Sequence, residues 1–511
     1  MNTPARRLLA ASALFFLLFL PWVAPLSSGP SRNAWPYLIG LACMAGLLLL
    51  RRHWRPKAVA WAWLAAALVS CAIAVVQYLG WAAHFAPWIA PIGPGEGSAN
   101  LRQRNQFATF TAIGLIALSY LASAVHKRRP VAGWAILAAA LAAALLAVGN
   151  AVTSSRTGAL AWTAVLAAGL WIASRGGPRA MLLLPGLGMA LYLCASSLMP
   201  VALQWAQGAA TSPCASGPCN AIERLADTGS DSRIALWSNV LELIALRPWS
   251  GWGWGELGFA HYITLFEGPR FSDKLSNAHN LPLHLAVELG LPLTLLMGAA
   301  LLTLLWRARP WAEIRPWRQA AWGVLAVIGL HSLLEYPLWY GPFQIAVLVC
   351  VMGLAWHPRP VVARPMGLPR SGRWIDALAL GLLLGVAVIA FDYHRTSQIY
   401  LPAHQRHSAY GHEPLKAAQA SWFFQNHARF ATLTLTPLRS DNAAEQLALA
   451  QELLHHSAEP VVIERLLDSA ALLGRGELLA FHSRRYEAAY PQAYANWLQR
   501  QSAGLAQASR P

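Results

Sequence analysis

Residues 231–284 read DSRIALWSNVLELIALRPWSGWGWGELGFAHYITLFEGPRFSDKLSNAHNLPLH, and the rest of the chain is organised around this stretch. It lies between two long apolar segments. Its first part, Ser232 to Leu246, carries Ile234, Leu236, Trp237, Val240, Leu241, Leu243 and Ile244 at helical spacing, with a polar strip beside them and Arg233 at one end. That pattern predicts an interfacial helix lying along a membrane surface. Pro248 stops the helix, and Gly251, Gly253 and Gly255 permit tight backbone turns. The stretch closes on Ser276-Asn277-Ala278-His279-Asn280, immediately before apolar residues resume. A guanidinium, a glycine segment and an imidazole therefore meet at one membrane face, a combination suited to an anionic, lipid-linked molecule.

Composition makes the membrane unavoidable. Of 511 residues, 12% are charged and 56% hydrophobic, and the mean hydropathy is +0.40. Soluble chains carry about 25% charged residues. Apolar runs at 8–25, 35–50, 58–82, 105–125, 131–152, 157–174, 180–206, 281–305, 319–335, 338–356 and 375–391 predict an all-α polytopic membrane protein of about eleven transmembrane helices. The run at 8–25 reads as a retained anchor, because more spans follow. A net charge of +17 on a soluble chain would suggest nucleic acid. Here the cations sit in short loops between apolar runs, so no nucleic-acid partner is expected.

Those loop cations orient the chain. One set of alternate loops holds Arg51, Arg52, Arg55 and Lys57; Lys127, Arg128 and Arg129; Arg175 and Arg179; Arg307, Arg309, Arg315 and Arg318; and Arg359, Arg364, Arg370 and Arg373. The intervening short loops hold only Arg32, Arg102, Arg104 and Arg156. The positive-inside rule makes the first set cytoplasmic, together with Arg6 and Arg7. The N-terminus is then cytoplasmic, and the 207–280 loop and everything after Phe391 are periplasmic. If that loop is outside the cytoplasm, Cys214 and Cys219 of SPCASGPC are expected to form a small disulfide rather than two free thiols or a metal site.

The organisation that follows is a membrane domain over 1–391, with its long outer loop over about 207–280, and a helical domain over 392–511. In the latter, Asn442 to Leu454, Pro460 to Leu473 and Glu477 to Ala489 are amphipathic, with Gly474 and Gly476 as stops. Short helices in antiparallel pairs resemble degenerate tetratricopeptide-like (TPR-like) repeats. Such a domain either stabilises the fold or recognises a protein.

Arg102, Arg156 and Arg233 all fall on the side of the membrane depleted in cations. Guanidinium forms forked hydrogen bonds to phosphate oxygens, so they suit a lipid diphosphate and its stabilisation as a leaving group. The alternative for each is plain anchoring to lipid head groups. His279, at the mouth of a span, suits proton abstraction from a hydroxyl. His284 and Glu288, and likewise His331 and Glu335, are four residues apart and share a helix face. They read as a hydrogen-bonded surround rather than a metal site, because no HExxH or Cys/His spacing is present. His261, in mid-loop, is expected to be dispensable. No Walker A loop and no G-x-S-x-G elbow occur, so neither ATP-driven transport nor an α/β-hydrolase serine is indicated.

Several of these motifs carry a family resemblance. NLRQRNQFATF, SRTG, Arg233 followed by LW and then RPWSGWGWGELGF, SNAHNLPLHLAVELGLP and HSLLEYPLWY together resemble the bacterial O-antigen ligase and polymerase superfamily, and within it most the pilin-type O-oligosaccharyltransferases. The resemblance covers most of residues 93–345. It implies a GT-C glycosyltransferase of the bacterial inner membrane that moves a preassembled glycan from undecaprenyl diphosphate to a periplasmic acceptor, with no nucleotide sugar, metal or other cofactor. The family's essential histidine falls on His279 and its arginines on Arg156 and Arg233. Arg102, Gln103, Asn105, Asn280, His284, His331, Glu335 and Tyr340 are the residues expected to surround the substrate. Arg104 stands where a proline is more usual. The expected partners are the lipid-linked glycan, membrane lipid and a pilin-like protein offering Ser or Thr. Lipid A core, or a growing glycan chain, are the alternative acceptors. A secondary transporter or flippase is the competing class. It is disfavoured, because transporters place charged residues near mid-membrane and in inverted repeats.

The alternation of loop charges is testable by topology reporters. Fusions at Arg55, Lys127, Arg175, Arg309 and Arg364 are expected to score cytoplasmic, and fusions at Gly97, Gly217 and His456 periplasmic. A cytoplasmic score at Gly217 would remove the long loop from the face where the acceptor is expected.

Overall fold

The structure, a computed structural model, describes residues 4–24, 34–125, 132–207, 231–356 and 372–508. Cys214 and Cys219 lie outside the described residues. Among those described, every regular element is helical. The chain begins with α1 (Pro4–Val23), α2 (Trp35–Leu49), α3 (Pro56–Tyr78), α4 (Arg104–Val125), α5 (Gly133–Ala151), α6 (Arg156–Ser174) and α7 (Ala180–Gln207). The long loop contributes α8 (Asp231–Leu246) and α9 (Leu257–Ile263). Then come α10 (Leu281–Leu289), α11 (Leu291–Ala308), α12 (Pro316–Ser332), α13 (Gly341–Trp356) and α14 (Arg373–Ser397). The chain finishes with α15 (Pro414–Gln419), α16 (Gln425–Leu435), α17 (Ala443–His456), α18 (Pro460–Leu472), α19 (Gly476–Ala489) and α20 (Pro491–Ala508).

Among the described residues, seven helices are long and apolar enough to cross a membrane: α3 to α7, Leu291–Ala312 and Arg373–Tyr400. Leu8–Val23, Trp35–Leu49 and Gly341–Trp356 are apolar but shorter. By contact the chain divides into two compact units. The first is Met1–Gly229 with Leu305–Ala387; the second is Ser230–Leu304 with Val388–Pro511.

Close approach of small residues holds the first unit. A Cβ added to Gly114 would lie 2.7 Å from Ala67 Cβ, one at Gly149 would lie 2.2 Å from Cys71 Sγ, and one at Gly169 would lie 2.2 Å from the Met181 carbonyl oxygen. Lipid tails are as apolar as leucine, so helices there associate by dispersion and fit rather than by expelling water. Trp22 stacks on Phe110 with ring centroids 3.8 Å apart. Two arginines counted among the loop cations are not solvated. Arg51 is fully buried and donates to Asp376 Oδ1 at 2.5 Å, to the Leu48 carbonyl at 2.8 Å and to the Gly372 carbonyl at 3.0 Å. Arg318 donates to Glu313 Oε2 at 2.5 Å and to the Leu354 carbonyl at 2.6 Å. A buried guanidinium is tolerated only when its charge and its N–H groups are met in this way.

In the second unit the glycine segment packs backbone against backbone on the end of α10. The Trp252 N–H donates to the Val287 carbonyl at 2.9 Å, Gly253 N–H to the Glu288 carbonyl at 3.0 Å, and Leu291 N–H to the Pro248 carbonyl at 2.8 Å. Gly251 (φ +65°) and Gly290 (φ +82°) sit at the closest points. A Cβ on the first would lie 2.4 Å from the Glu288 carbonyl oxygen, and one on the second 2.3 Å from that of Trp249. This junction corrects the single span expected over 281–305. Gly290 interrupts it, leaving the nine-residue α10 ahead of the longer α11. The C-terminal helices fall where the sequence pattern put them. Their core of Leu433, Leu453, Ile463, Leu466, Leu467 and Tyr486 also takes in Tyr262 from α9.

Gly251→Ala and Gly290→Ala should each lower the thermal midpoint of the detergent-purified protein, a cost of roughly 1–3 kcal/mol from strain and overlap. Gly268→Ala is the control, because nothing lies within 4 Å of its added Cβ. Equal midpoints for all three variants would contradict the backbone-contact reading.

Candidate functional site

In the first unit the sequence motifs converge. Gln77 and Asn100 shape the loop that leads to them. Gln77 Nε2 donates to the carbonyls of Ala90 (2.9 Å) and Ala99 (3.0 Å), and Asn100 Nδ2 to those of Val23 (2.8 Å) and Trp88 (2.9 Å). The loop ends at Arg102, exposed and in the left-handed region at φ +57°. Gln103 Oε1 then accepts the Gln106 N–H at 2.7 Å, closing the first turn of α4.

Asn105 is the knot. Its Nδ2 donates to Glu335 Oε1 at 3.0 Å, and its Oδ1 accepts Ser155 Oγ–H at 2.6 Å. Ser155 is also the N-cap of α6, accepting the Gly158 N–H at 3.0 Å, and Arg156 is the first residue of that helix. One turn on, Thr109 Oγ1 lies 2.9 Å from His331 Nδ1. The RQRNQ, SSRTG and HSLLEY segments are thus joined by side chains that are buried almost completely. Asn105, His331 and Glu335 are 8%, 0% and 5% exposed, so their first task is to fix the loops bearing Arg102 and Arg156. Tyr340 stands beside Tyr336, with ring centroids 6.2 Å apart.

In the second unit His279 takes φ +50°, a conformation that costs a non-glycine residue about 1–2 kcal/mol. The surroundings over-determine it. Asn277 Oδ1 accepts the His279 N–H at 2.9 Å, Trp237 Nε1 of α8 donates to the Ala278 carbonyl at 3.1 Å, and Asn280 Oδ1 caps α10 through the Leu283 N–H at 3.0 Å. His279 is half-buried. Arg233, also half-buried, lies in the first turn of α8. Backbone strain held in place in this way is a feature that recurs at functional sites.

Beneath His279 lies His284, 3% exposed, its Nε2 3.6 Å from Glu288 Oε2. Burial, and then the charge of His279, lower the His284 pKa to about 4, so this imidazole is neutral at neutral pH. Glu288 is 2% exposed, and burial raises its pKa although its carboxylate accepts the backbone N–H groups of Gly255 and Leu257. Glu288 therefore ties the glycine turn to the helix that carries His284. The sequence signal for it was only the four-residue spacing. Trp254, 65% exposed, forms a T-shaped pair with the His284 ring, centroids 6.3 Å apart. Among the described residues no group of three His, Cys, Asp or Glu side chains is placed to hold a metal ion.

Sequence reasoning missed how the loop over 257–280 is secured. Asn239 Oδ1 accepts the Phe271 N–H at 2.9 Å and lies 3.3 Å from His261 Nε2. Arg270 donates to the His261 carbonyl at 2.5 Å and to the Thr264 carbonyl at 2.8 Å. His261, expected to be dispensable, is 5% exposed and part of this network. The C-terminal helices grip the same segment. His482 Nδ1 lies 2.9 Å from Tyr262 Oη, and Glu256 Oε2 lies 2.8 Å from His455 Nδ1.

Burial, aided by Arg270 and Arg485 respectively, lowers the pKa of His261 to about 3 and of His482 to about 4. With His284, these imidazoles are neutral when folded but protonate near pH 6.5 when unfolded. The unfolded state then binds more protons, so stability falls as pH drops below about 6.5 toward 4. Thermal midpoints of purified protein should be lower at about pH 5 than at about pH 7.5. His261→Ala should lower the midpoint at both and shrink the difference. Equal wild-type midpoints would contradict neutral burial.

The "O-Antigen ligase" family matches residues 141–298, "Protein glycosylation ligase" matches 99–122, and "Virulence factor membrane-bound polymerase, C-terminal" matches 319–503. Two relatives come from Acinetobacter baylyi. A general O-oligosaccharyltransferase is 26% identical over 343 residues, covering 65% of this chain and 55% of that protein. A ComP-specific O-oligosaccharyltransferase is 26% identical over 295 residues, covering 57% of this chain and 50% of that protein. The matched region thus spans about half the length of these curated relatives. The matches cover both the Asn105–Ser155 knot and the His279 turn, and over these segments the chain is similar to O-antigen ligases and O-oligosaccharyltransferases.

Proposed function

We propose that this protein is a multi-pass glycosyltransferase of the bacterial inner membrane that moves a preassembled glycan from undecaprenyl diphosphate to a Ser or Thr hydroxyl of a pilin-like protein at the periplasmic face. The observation that carries this reading is the strained, half-buried His279, held by Asn277 at the start of α10. The two relatives, both O-oligosaccharyltransferases, support this class of transfer.

In the second unit, His279 takes the proton of the acceptor hydroxyl as its oxygen bonds to the anomeric carbon of the first sugar. The bond from that carbon to the diphosphate oxygen breaks, and both its electrons leave with the diphosphate. Arg233 is assigned to the developing negative charge. In the first unit, Arg156 and Arg102 are assigned to diphosphate oxygens, with Gln103 and Asn105 setting the loop. Guanidinium forks suit this work better than ammonium, because they make two parallel bonds to phosphate. Polymerisation, in which the acceptor hydroxyl belongs to another glycan, is the second reading. The match of residues 319–503 to a membrane-bound polymerase family favours keeping it.

His279→Ala should lower glycosylated acceptor per unit of membrane enzyme by roughly 10²–10⁴-fold, the usual contribution of a positioned acid–base group. Protein level should hold, since the imidazole is not a core side chain. Arg156→Lys and Arg233→Lys should lower transfer steeply at normal abundance. Wild-type specific activity in His279→Ala would remove the reason for placing the chemistry at this turn.

A further inference from the structure

The apolar run Ala377–Phe391 of α14 ends at Asp392, which is fully buried. Its carboxylate accepts Ser421 Oγ–H at 2.8 Å, the Phe423 N–H at 2.8 Å and the Trp422 N–H at 3.0 Å, and it pairs with Arg395 Nη2 at 2.6 Å. Ser421 Oγ accepts the Phe424 N–H at 2.8 Å, and Arg395 also donates to the Ala420 carbonyl. Residues 420–424 are therefore locked to the end of α14 by one carboxylate and one guanidinium. Such charge-assisted bonds are short and strong, and several converging on one buried group fix a turn rigidly.

The rings that this lock presents are not themselves buried. Trp422 is 64% exposed, Phe423 57% and Phe391 54%. The Arg395 guanidinium lies 5.2 Å from the Trp422 ring centroid and 6.0 Å from that of Phe391, which gathers these two aromatics into one patch. A solvated turn gains nothing by holding two large aromatic side chains out in water. Each would be more stable in an apolar setting. The patch begins where a helix of membrane length runs out of apolar residues. Aromatic rings collect at that level, with their apolar bodies among acyl chains and their polar edges among head groups. Pairing with Asp392 removes the net charge of Arg395, which suits a guanidinium near hydrocarbon.

We propose that the Trp422–Phe423 turn is a membrane-surface anchor, its two rings seated with Phe391 in the head-group and acyl boundary of a phospholipid leaflet. Continuity with the apolar run of α14 selects lipid over a protein partner, whose footprint would have no reason to start at the end of a span. The anchor holds the C-terminal helices at the bilayer surface whatever glycan or acceptor the protein uses.

The test is photo-crosslinking of the full-length protein in its native membranes. p-Benzoylphenylalanine is placed at Trp422, at Phe423 and, as a solvent-facing control, at Glu477, which is exposed on α19. Trp422 and Phe423 are more than half exposed, so an aromatic replacement there leaves the core untouched. After irradiation and purification, intact mass should show phospholipid adducts at 422 and 423 several-fold above 477. A yield at both positions no higher than at 477 would overturn the proposal. A protein-sized adduct at 422 in place of lipid would overturn it in favour of a docking site.

Discussion

The second unit depends on a backbone contact. Residues 248–257 lie against residues 286–291 so closely that neither Gly251 nor Gly290 has room for a Cβ. Glu288 closes that contact from both sides. Its carbonyl receives the Gly253 N–H, its carboxylate receives those of Gly255 and Leu257, and its Oε2 faces His284. A buried carboxylate is costly unless its lone pairs are met, and here the backbone N–H groups of the glycine turn meet them. The same contact fixes α10, and α10 begins at the capped Asn280 beside His279. The orientation of a proposed proton acceptor thus rests on bonds made one to three helical turns away. Sites loosen readily when such support is lost.

The first unit solves a different problem. Polar side chains among apolar helices must find partners inside the protein, because lipid offers none. Asn105 has both ends of its amide engaged, one by Ser155 and the other by Glu335. Removal of any member would leave a buried donor or acceptor unpaired, at a cost of about 1–3 kcal/mol. The chain retains such a network where it holds two loops bearing arginines. Buried polar groups otherwise carry only cost.

The helical class and most elements were legible from period and composition. The tail helices at Ala443–His456, Pro460–Leu472 and Gly476–Ala489 follow the predicted runs to within a few residues, since amphipathic pattern and glycine stops are local signals. The break at Gly290 was not legible, because LGLP reads as continuous apolar sequence and the close approach of Trp249 is a tertiary fact. The engagement of the long loop by the tail was also hidden. Tyr262 and His482 are 220 residues apart, and nothing in either stretch signals the other. His279 and the SRTG and RQRNQ segments stood out because each sets unusual polar residues beside an apolar run. What the sequence could not supply was that Asn105, Ser155 and Glu335 form one chain of hydrogen bonds.

The proposed chemistry needs no ATP on the outer face, because the sugar–diphosphate bond already carries the driving force. Its signature is transfer in a single step. The most direct measurement is intact mass of a purified pilin after co-expression with this protein and a host pathway that builds one defined undecaprenyl-diphosphate-linked oligosaccharide. The expected result is a mass gain equal to the whole oligosaccharide on a Ser or Thr, absent when His279 is alanine. Pilin of unmodified mass, with single-sugar ladders or with lipid-linked glycan merely moved across the membrane, would contradict a one-step glycan transfer to protein.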